Sequence, residues 1–464
     1  MLTLADLYTA LGQPIKIPNA GAIHIREVVI DSRQVKLGDL FVALPGEAVD
    51  GHRFVADAVR RGAIAALVQQ EVTDVNATPD TLPVLIRVNN TLVALQQIAA
   101  WWRDQFNVRV IGVTGSVGKT TTKEIVAQVL SMRYNVLKNE GNLNNEIGLP
   151  LTLLKLRPEH QRAVLEMAMY TFGEIALLAQ IAKPVVGVVT MVRAVHIERM
   201  GSLDNIAKAK SELIEALPSD GIAILNDDDE RVRNMAKVSR AHVMTYGLSP
   251  RANIWADNIE TYGLDGISLD LCESVAGITT RHHARVPLLG RHSAQTVLRA
   301  AAVGRAEGMP WGEIIEGLVR RTTQLRLVTV EGPHSSVILD DTYNATTESV
   351  IAALNLLAEM NDGPRIAVLG DMFELGDIEE QEHRLVGCRA ALVAQKLVCV
   401  GERARWIADE AIACGAQRQN VIHVMTNAQA LQALTQIVTE RSTILVKGSR
   451  GMKMEELVSE LSKN

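Results

Sequence analysis

The chain has 464 residues, 47% of them hydrophobic and 22% charged, with a formal net charge of −6. That is the balance of a globular protein with enough sequence for roughly two to four domains. The negative charge and an aromatic content of 3% exclude a general nucleic-acid binder, which needs a basic face and stacking platforms.

Residues 1–85 alternate strand-like and helical runs, which predicts a small α/β domain. Two polar clusters, Asp31-Ser32-Arg33 and Asp50-Gly51-His52, follow its first strands. Ligands commonly sit at strand ends in such sheets, and turn chemistry alone explains the same residues equally well. Residues 86–107 predict a connecting helix with Trp101 and Trp102 as packing residues. The start of the chain has no basic stretch before an apolar core, and no apolar run reaches membrane length. The expectation is therefore a cytoplasmic protein with no signal peptide and no membrane insertion.

Residues 108–310 predict a central, mostly parallel sheet domain. Its apolar strand 108–113 runs into Thr114-Gly115-Ser116-Val117-Gly118-Lys119-Thr120-Thr121, and a helix follows at once. Glycines let backbone N–H groups approach a ligand, and the helix start adds unpaired donors and positive dipole charge. Lys119 adds a full charge, and the Thr120 hydroxyl suits Mg²⁺, so the stretch is read as a phosphate cradle. It lacks the leading glycine of the full Walker pattern, whose place Val113 takes. The loop 139–145 carries four asparagines, including Asn145, that could place amides near a polyphosphate. The strand Ala163-Val-Leu-Glu166 ends in a carboxylate beside the cradle, the position of a metal-holding acid. His196 follows a third strand and either faces that site or is polar surface. On the helix 206–213, Lys208 and Lys210 read alike as a solvated face. Asn226-Asp-Asp-Asp229 reads as a capping cluster rather than metal ligands. Residues 251–287 predict an antiparallel appendage of short strands, and Gly290-Arg-His292 opens a further helix.

Residues 311–464 predict a Rossmann-like, doubly wound sheet. Polar residues gather at its strand ends, among them Asp341, Asn344, Asp371, Lys447, Ser449 and Arg450. Lys447, Ser449 and Arg450 before a helix suit a carboxylate or phosphate. The four cysteines have no paired metal spacing and read as buried thiols of a reducing compartment. There is no internal repeat and no low-complexity linker.

Taken together these stretches resemble the Mur ligase family over nearly the whole chain. The matching stretches are the turn 114–122, Asp31-Ser-Arg33, Asp50-Gly-His52, Asn142-Leu-Asn-Asn145 with Gly148-Leu-Pro150, and Gly290-Arg-His292. Asp341-Thr-Tyr-Asn-Ala345, Gly370-Asp-Met-Phe-Glu-Leu-Gly376 and Lys447-Gly-Ser-Arg-Gly-Met-Lys453 look like the members that add D-alanyl-D-alanine. The chain departs from the family pattern at Val117, Met191, Thr296, Thr346 and Thr347.

The resemblance implies an ATP-dependent ligase working as a monomer. It would join D-alanyl-D-alanine to UDP-N-acetylmuramoyl-tripeptide through an acyl phosphate. Lys119, Glu166, His196 and Lys210 are then catalytic. Thr120, Glu166, His196 and a carbamylated Lys210 would hold two Mg²⁺ ions. Thr114, Gly115, Ser116, Gly118, Lys119, Thr120, Thr121, Asn145, His292, Arg326 and Asp341 would contact ATP. Asp31, Ser32, Arg33, Asp50 and His52 would hold the UDP end, and Asn344, Lys447, Ser449 and Arg450 the dipeptide. Other amide ligases of the family, such as folylpolyglutamate synthase, are the near alternative, and a P-loop switch protein is the distant one.

Overall fold

The computed structural model describes residues 1–46, 49–75, 81–195, 197–320, 328–360 and 363–463. It is built on three sheets, one in each predicted α/β region. The first has four parallel strands in chain order, Val28–Val29, Leu40–Val42, Ala65–Val68 and Val84–Arg87. The helix Thr91–Asp104 follows. Asn90 caps it by accepting from the N–H groups of Leu92 and Val93. This helix buries Leu95, Ile98 and Trp102 in a hydrophobic cluster shared by the first sheet and the central domain. Trp101 stacks on Trp102, and Trp102 meets Phe106 edge-on, so both tryptophans are packing residues.

The central sheet has nine strands. Arg109–Thr114 lies inside it, flanked in parallel by Arg162–Glu166 and Val186–Val189. From Arg109–Thr114 the chain goes out to the edge strand Val136–Lys138, returns to Arg162–Glu166, then crosses to the other side. That reversal opens a crevice beyond the carboxyl end of Arg109–Thr114, where α/β sheets bind ligands. The region expected as an appendage of short strands is instead part of this sheet. Ile254–Thr261 pairs in parallel with His242–Gly247, and Ile267–Val275 and Ile278–Val286 extend it as antiparallel strands of nine residues each. Alternation along a strand reveals its faces and not its neighbours, so this continuity had no local signal.

The third sheet orders Val328–Glu331, Val337–Asp340, Thr443–Lys447, Arg365–Gly370, Lys396–Val400 and Val421–Val424. All pairs are parallel except the first, an added edge strand. Apolar clusters cover both faces, as a doubly wound sheet requires. One sequence expectation is corrected here. Cys388 and Cys414 form a disulfide, and only Cys272 and Cys399 are buried free thiols. The helix Glu379–Val393 packs on Ala404–Ala413, and this brings together two cysteines separated by 26 residues in sequence. Among the described residues, no helix is long and apolar enough to cross a membrane.

Candidate active site

The turn expected to cradle phosphate forms as its residues demand. Gly115 has φ +142°, and a Cβ there would lie 1.8 Å from Thr190 Oγ1. Only glycine fits, because Thr190 Oγ1 donates to the Val117 carbonyl at 2.7 Å and so braces the turn. Gly118, at φ 82°, ends the turn as the N-cap of the helix Lys119–Leu130. Lys119 Nζ reaches back over the turn and donates to the carbonyls of Gly115 at 2.9 Å and Ser116 at 3.2 Å. Thr114 does not face the crevice. It is fully buried, and its Oγ1 donates to the Met167 carbonyl at 2.8 Å.

Glu166 stands opposite the helix start at 1% exposure. Thr120 Oγ1 donates to its Oε2 at 2.7 Å, and Asn144 Nδ2 donates to its Oε1 at 2.8 Å. Asn139 fixes the Glu166 backbone from both sides and itself accepts from the fully buried Lys123 Nζ at 2.6 Å. Adjacent oxygens around Mg²⁺ lie about 3 Å apart, because each sits about 2.1 Å from the ion at right angles. Thr120 and Glu166 match that spacing. Among the described residues, no three His, Cys, Asp or Glu side chains converge as an all-protein cage.

Lys210 is 4% exposed, and among the described residues no carboxylate offsets its charge. Burial, with the charge of Lys119 behind it, holds its ammonium well below the usual lysine range. Lys208, two residues earlier on the same helix, is exposed. Arg299 lies beneath the cradle at 2% exposure, a position that sequence reasoning missed. Its Nη1 donates to Thr122 Oγ1 at 2.7 Å and its Nε to Tyr246 Oη at 3.0 Å. Burial pushes that phenol up to about 12. The helix Ala294–Ala306 carries two arginines, Arg299 and Arg305, and its sequence alone does not single out the buried one.

The crevice opens into a cavity of about 690 Å³ between the central and third domains. Ser116, Gly118, Lys119, Thr120, Thr121, Asn145, Glu166 and His292 line it from one side, and Asp341, Asn344, Lys447, Ser449 and Arg450 from the other. His292 is exposed toward the cavity, and the protein crowded around its ring holds the imidazole below its ordinary range. Lys447 is held by partners within the third domain. It is 2% exposed, and its Nζ donates to Asp341 Oδ2 at 2.6 Å and to the Asn344 carbonyl at 2.8 Å. Ser449 Oγ accepts from the Phe373 N–H at 2.9 Å, which leaves its own hydrogen to donate.

Asp31, Ser32, Arg33, Asp50 and His52 stay outside this cavity, at the ends of the first sheet's strands. Asp31 pairs with the exposed guanidinium of Arg33 at 2.8 Å. His52 Nδ1 donates to Asp50 at 2.6 Å, and its Nε2 accepts from Gln69 N–H at 3.0 Å. Both ring nitrogens are thus used internally, so His52 shapes its loop. His196 and Arg326 lie outside the described residues.

Family models match three stretches of the chain: Mur ligase family catalytic domain over 24–105, Mur ligase middle domain over 113–304, and Mur ligase glutamate ligase domain over 325–450. The UDP-N-acetylmuramoyl-tripeptide–D-alanyl-D-alanine ligase of Synechocystis is 38% identical over 95% of this chain and 92% of its own length. That of Escherichia coli is 37% identical over 95% of each. The chain belongs to the Mur ligase family. Among solved Mur ligases, MurF from Acinetobacter baumannii superposes with a TM-score of 0.84 at 31% identity, covering 100% of this chain and 99% of its own. MurF from Thermotoga maritima in complex with ADP reaches 0.80 at 27% identity, covering 94% and 97%.

Proposed function

We propose that the chain is an ATP-dependent ligase that couples D-alanyl-D-alanine to a UDP-N-acetylmuramoyl tripeptide, in peptidoglycan precursor synthesis. The observation that carries this reading is one cavity in which a phosphate cradle faces the polar strand ends of another domain. The named relatives supply the substrate pair.

A carboxylate is a poor electrophile toward an amine, so it must be activated. The tripeptide carboxylate attacks the γ-phosphorus of ATP, an acyl phosphate forms and ADP leaves. The dipeptide amine then attacks the acyl carbon, loses a proton, and phosphate departs with the former carboxylate oxygen. Lys119 and the N–H groups of the turn would hold the β- and γ-phosphates, where preorganised positive charge is most effective. Thr120 and Glu166 would hold one Mg²⁺, and a carbamate on Lys210 would give oxygen donors to a second. Ions held there would supply positive charge toward the phosphoryl oxygens. Lys210 suits this role because only a neutral amine adds CO₂, and burial beside Lys119 favours the neutral form. The Ser449 hydroxyl and Arg450 would take the dipeptide carboxylate. The first domain would hold the UDP end.

Phosphate release tests this reading. ATP with either substrate alone should release phosphate at background rate, and all three together should release one phosphate per amide formed. Rapid release from ATP alone would favour a nucleotide-switch protein instead.

A further inference from the structure

Arg193 joins the phosphate turn to the third domain. Its backbone N–H donates to Ser116 Oγ at 2.9 Å, and its carbonyl accepts from the same hydroxyl at 3.0 Å. The guanidinium Nη1 donates to Asp229 Oδ2 at 2.9 Å and to the Val192 carbonyl at 2.7 Å. Its Nε stands 3.6 Å from Glu348 Oε1. Glu348 lies in the first turn of the helix Thr347–Glu359, which belongs to the third domain. Among the described residues, this is the one ion pair between residues 1–320 and residues 328–463.

Both side chains line the shared cavity. Asp229 fixes one end of the guanidinium, so a movement of Ser116 reaches Glu348 through a side chain already held in place. At 3.6 Å the outer contact is long for a charged hydrogen bond, and a small displacement can tighten or release it. That suits a linkage that changes during turnover better than a rivet. Burial pushes the Glu348 carboxyl up, and its own backbone N–H and then the Arg193 charge act against that shift.

We propose that Arg193 is a positioning residue: it carries occupancy of the phosphate turn to the third domain through Glu348, and so aligns the amine-bearing substrate with the activated carboxylate. The alignment rests on the ligase reading, while the coupling does not.

Hydrogen exchange on the whole chain, with and without Mg²⁺ and a non-hydrolysable ATP analogue, tests the coupling. In the wild type the analogue should slow exchange both in residues 114–124 and at the start of the helix Thr347–Glu359. In Arg193→Ala the turn should still be protected and the helix should not. Arg193→Lys should restore part of the helix protection, and Glu348→Gln should behave like Arg193→Ala. In the ligation assay, Arg193→Ala should lower kcat about tenfold while KM for ATP stays nearly unchanged. The double variant with Glu348→Gln should be no worse than the poorer single variant. The proposal is overturned by an unprotected helix in the wild type or by helix protection that survives in Arg193→Ala. It is equally overturned by loss of turn protection in both Arg193 variants, or by multiplicative losses in the double variant. Failure of the wild type to form any amide would sink the ligase reading, and the exchange result would still decide the coupling.

Discussion

Glu166→Gln keeps the fold and loses about a hundredfold to a thousandfold in kcat, the loss that follows removal of one preorganised charge-stabilising group. The substitution keeps the shape of a side chain that is 1% exposed. Its amide oxygen can accept from Asn144 Nδ2 as Glu166 Oε1 does at 2.8 Å. Its amide nitrogen can donate to Thr120 Oγ1, reversing the present 2.7 Å bond. No buried group is orphaned, so the melting temperature stays close to wild type. What disappears is the negative charge beside Thr120, with a hydroxyl lone pair that a hard cation would use. The Mg²⁺ concentration for half-maximal rate should therefore rise by roughly tenfold or more. Steady-state kinetics across a Mg²⁺ series, beside a thermal melt, check both halves. Unchanged Mg²⁺ dependence with normal kcat would remove Glu166 from the metal site.

Lys210→Met should lose at least about a hundredfold in kcat and yet melt above the wild type. Methionine fills a similar volume without placing an ammonium in a site where burial disfavours it. A gain in stability with a loss of turnover marks a residue kept for chemistry. If Lys210 works as a carbamate, wild-type activity should fall in CO₂-free buffer and return with bicarbonate. The variant should respond to neither, and carbon-13 labelled bicarbonate should give a carbamate resonance in the wild type alone. Full activity in Lys210→Met would remove the lysine from the mechanism.

The cradle and its carboxylate were legible because their chemistry is local. Gly115, Gly118, Lys119 and Thr120 are fixed by one turn, and Glu166 by the end of one apolar strand. Lys210 was legible only by resemblance: composition treats it like Lys208, and packing alone buries one and exposes the other. Pairings distant in the chain had no local trace. Lys447 meets Asp341 across neighbouring parallel strands, a buried ion pair that neither stretch announces by itself. The Cys388–Cys414 bond depends on two helices packing side by side. Arg193 follows a strand in a loop with no motif of its own, and its role emerges only where two domains meet.

ATP activates a carboxylate held in this cavity. The most direct test of that step uses acceptor tripeptide labelled with oxygen-18 in the reacting carboxylate, incubated with ATP, Mg²⁺, dipeptide and enzyme. An acyl phosphate requires one labelled oxygen to leave with each phosphate released as the amide forms. Phosphate carrying no label, alongside normal amide formation, would rule out the acyl phosphate.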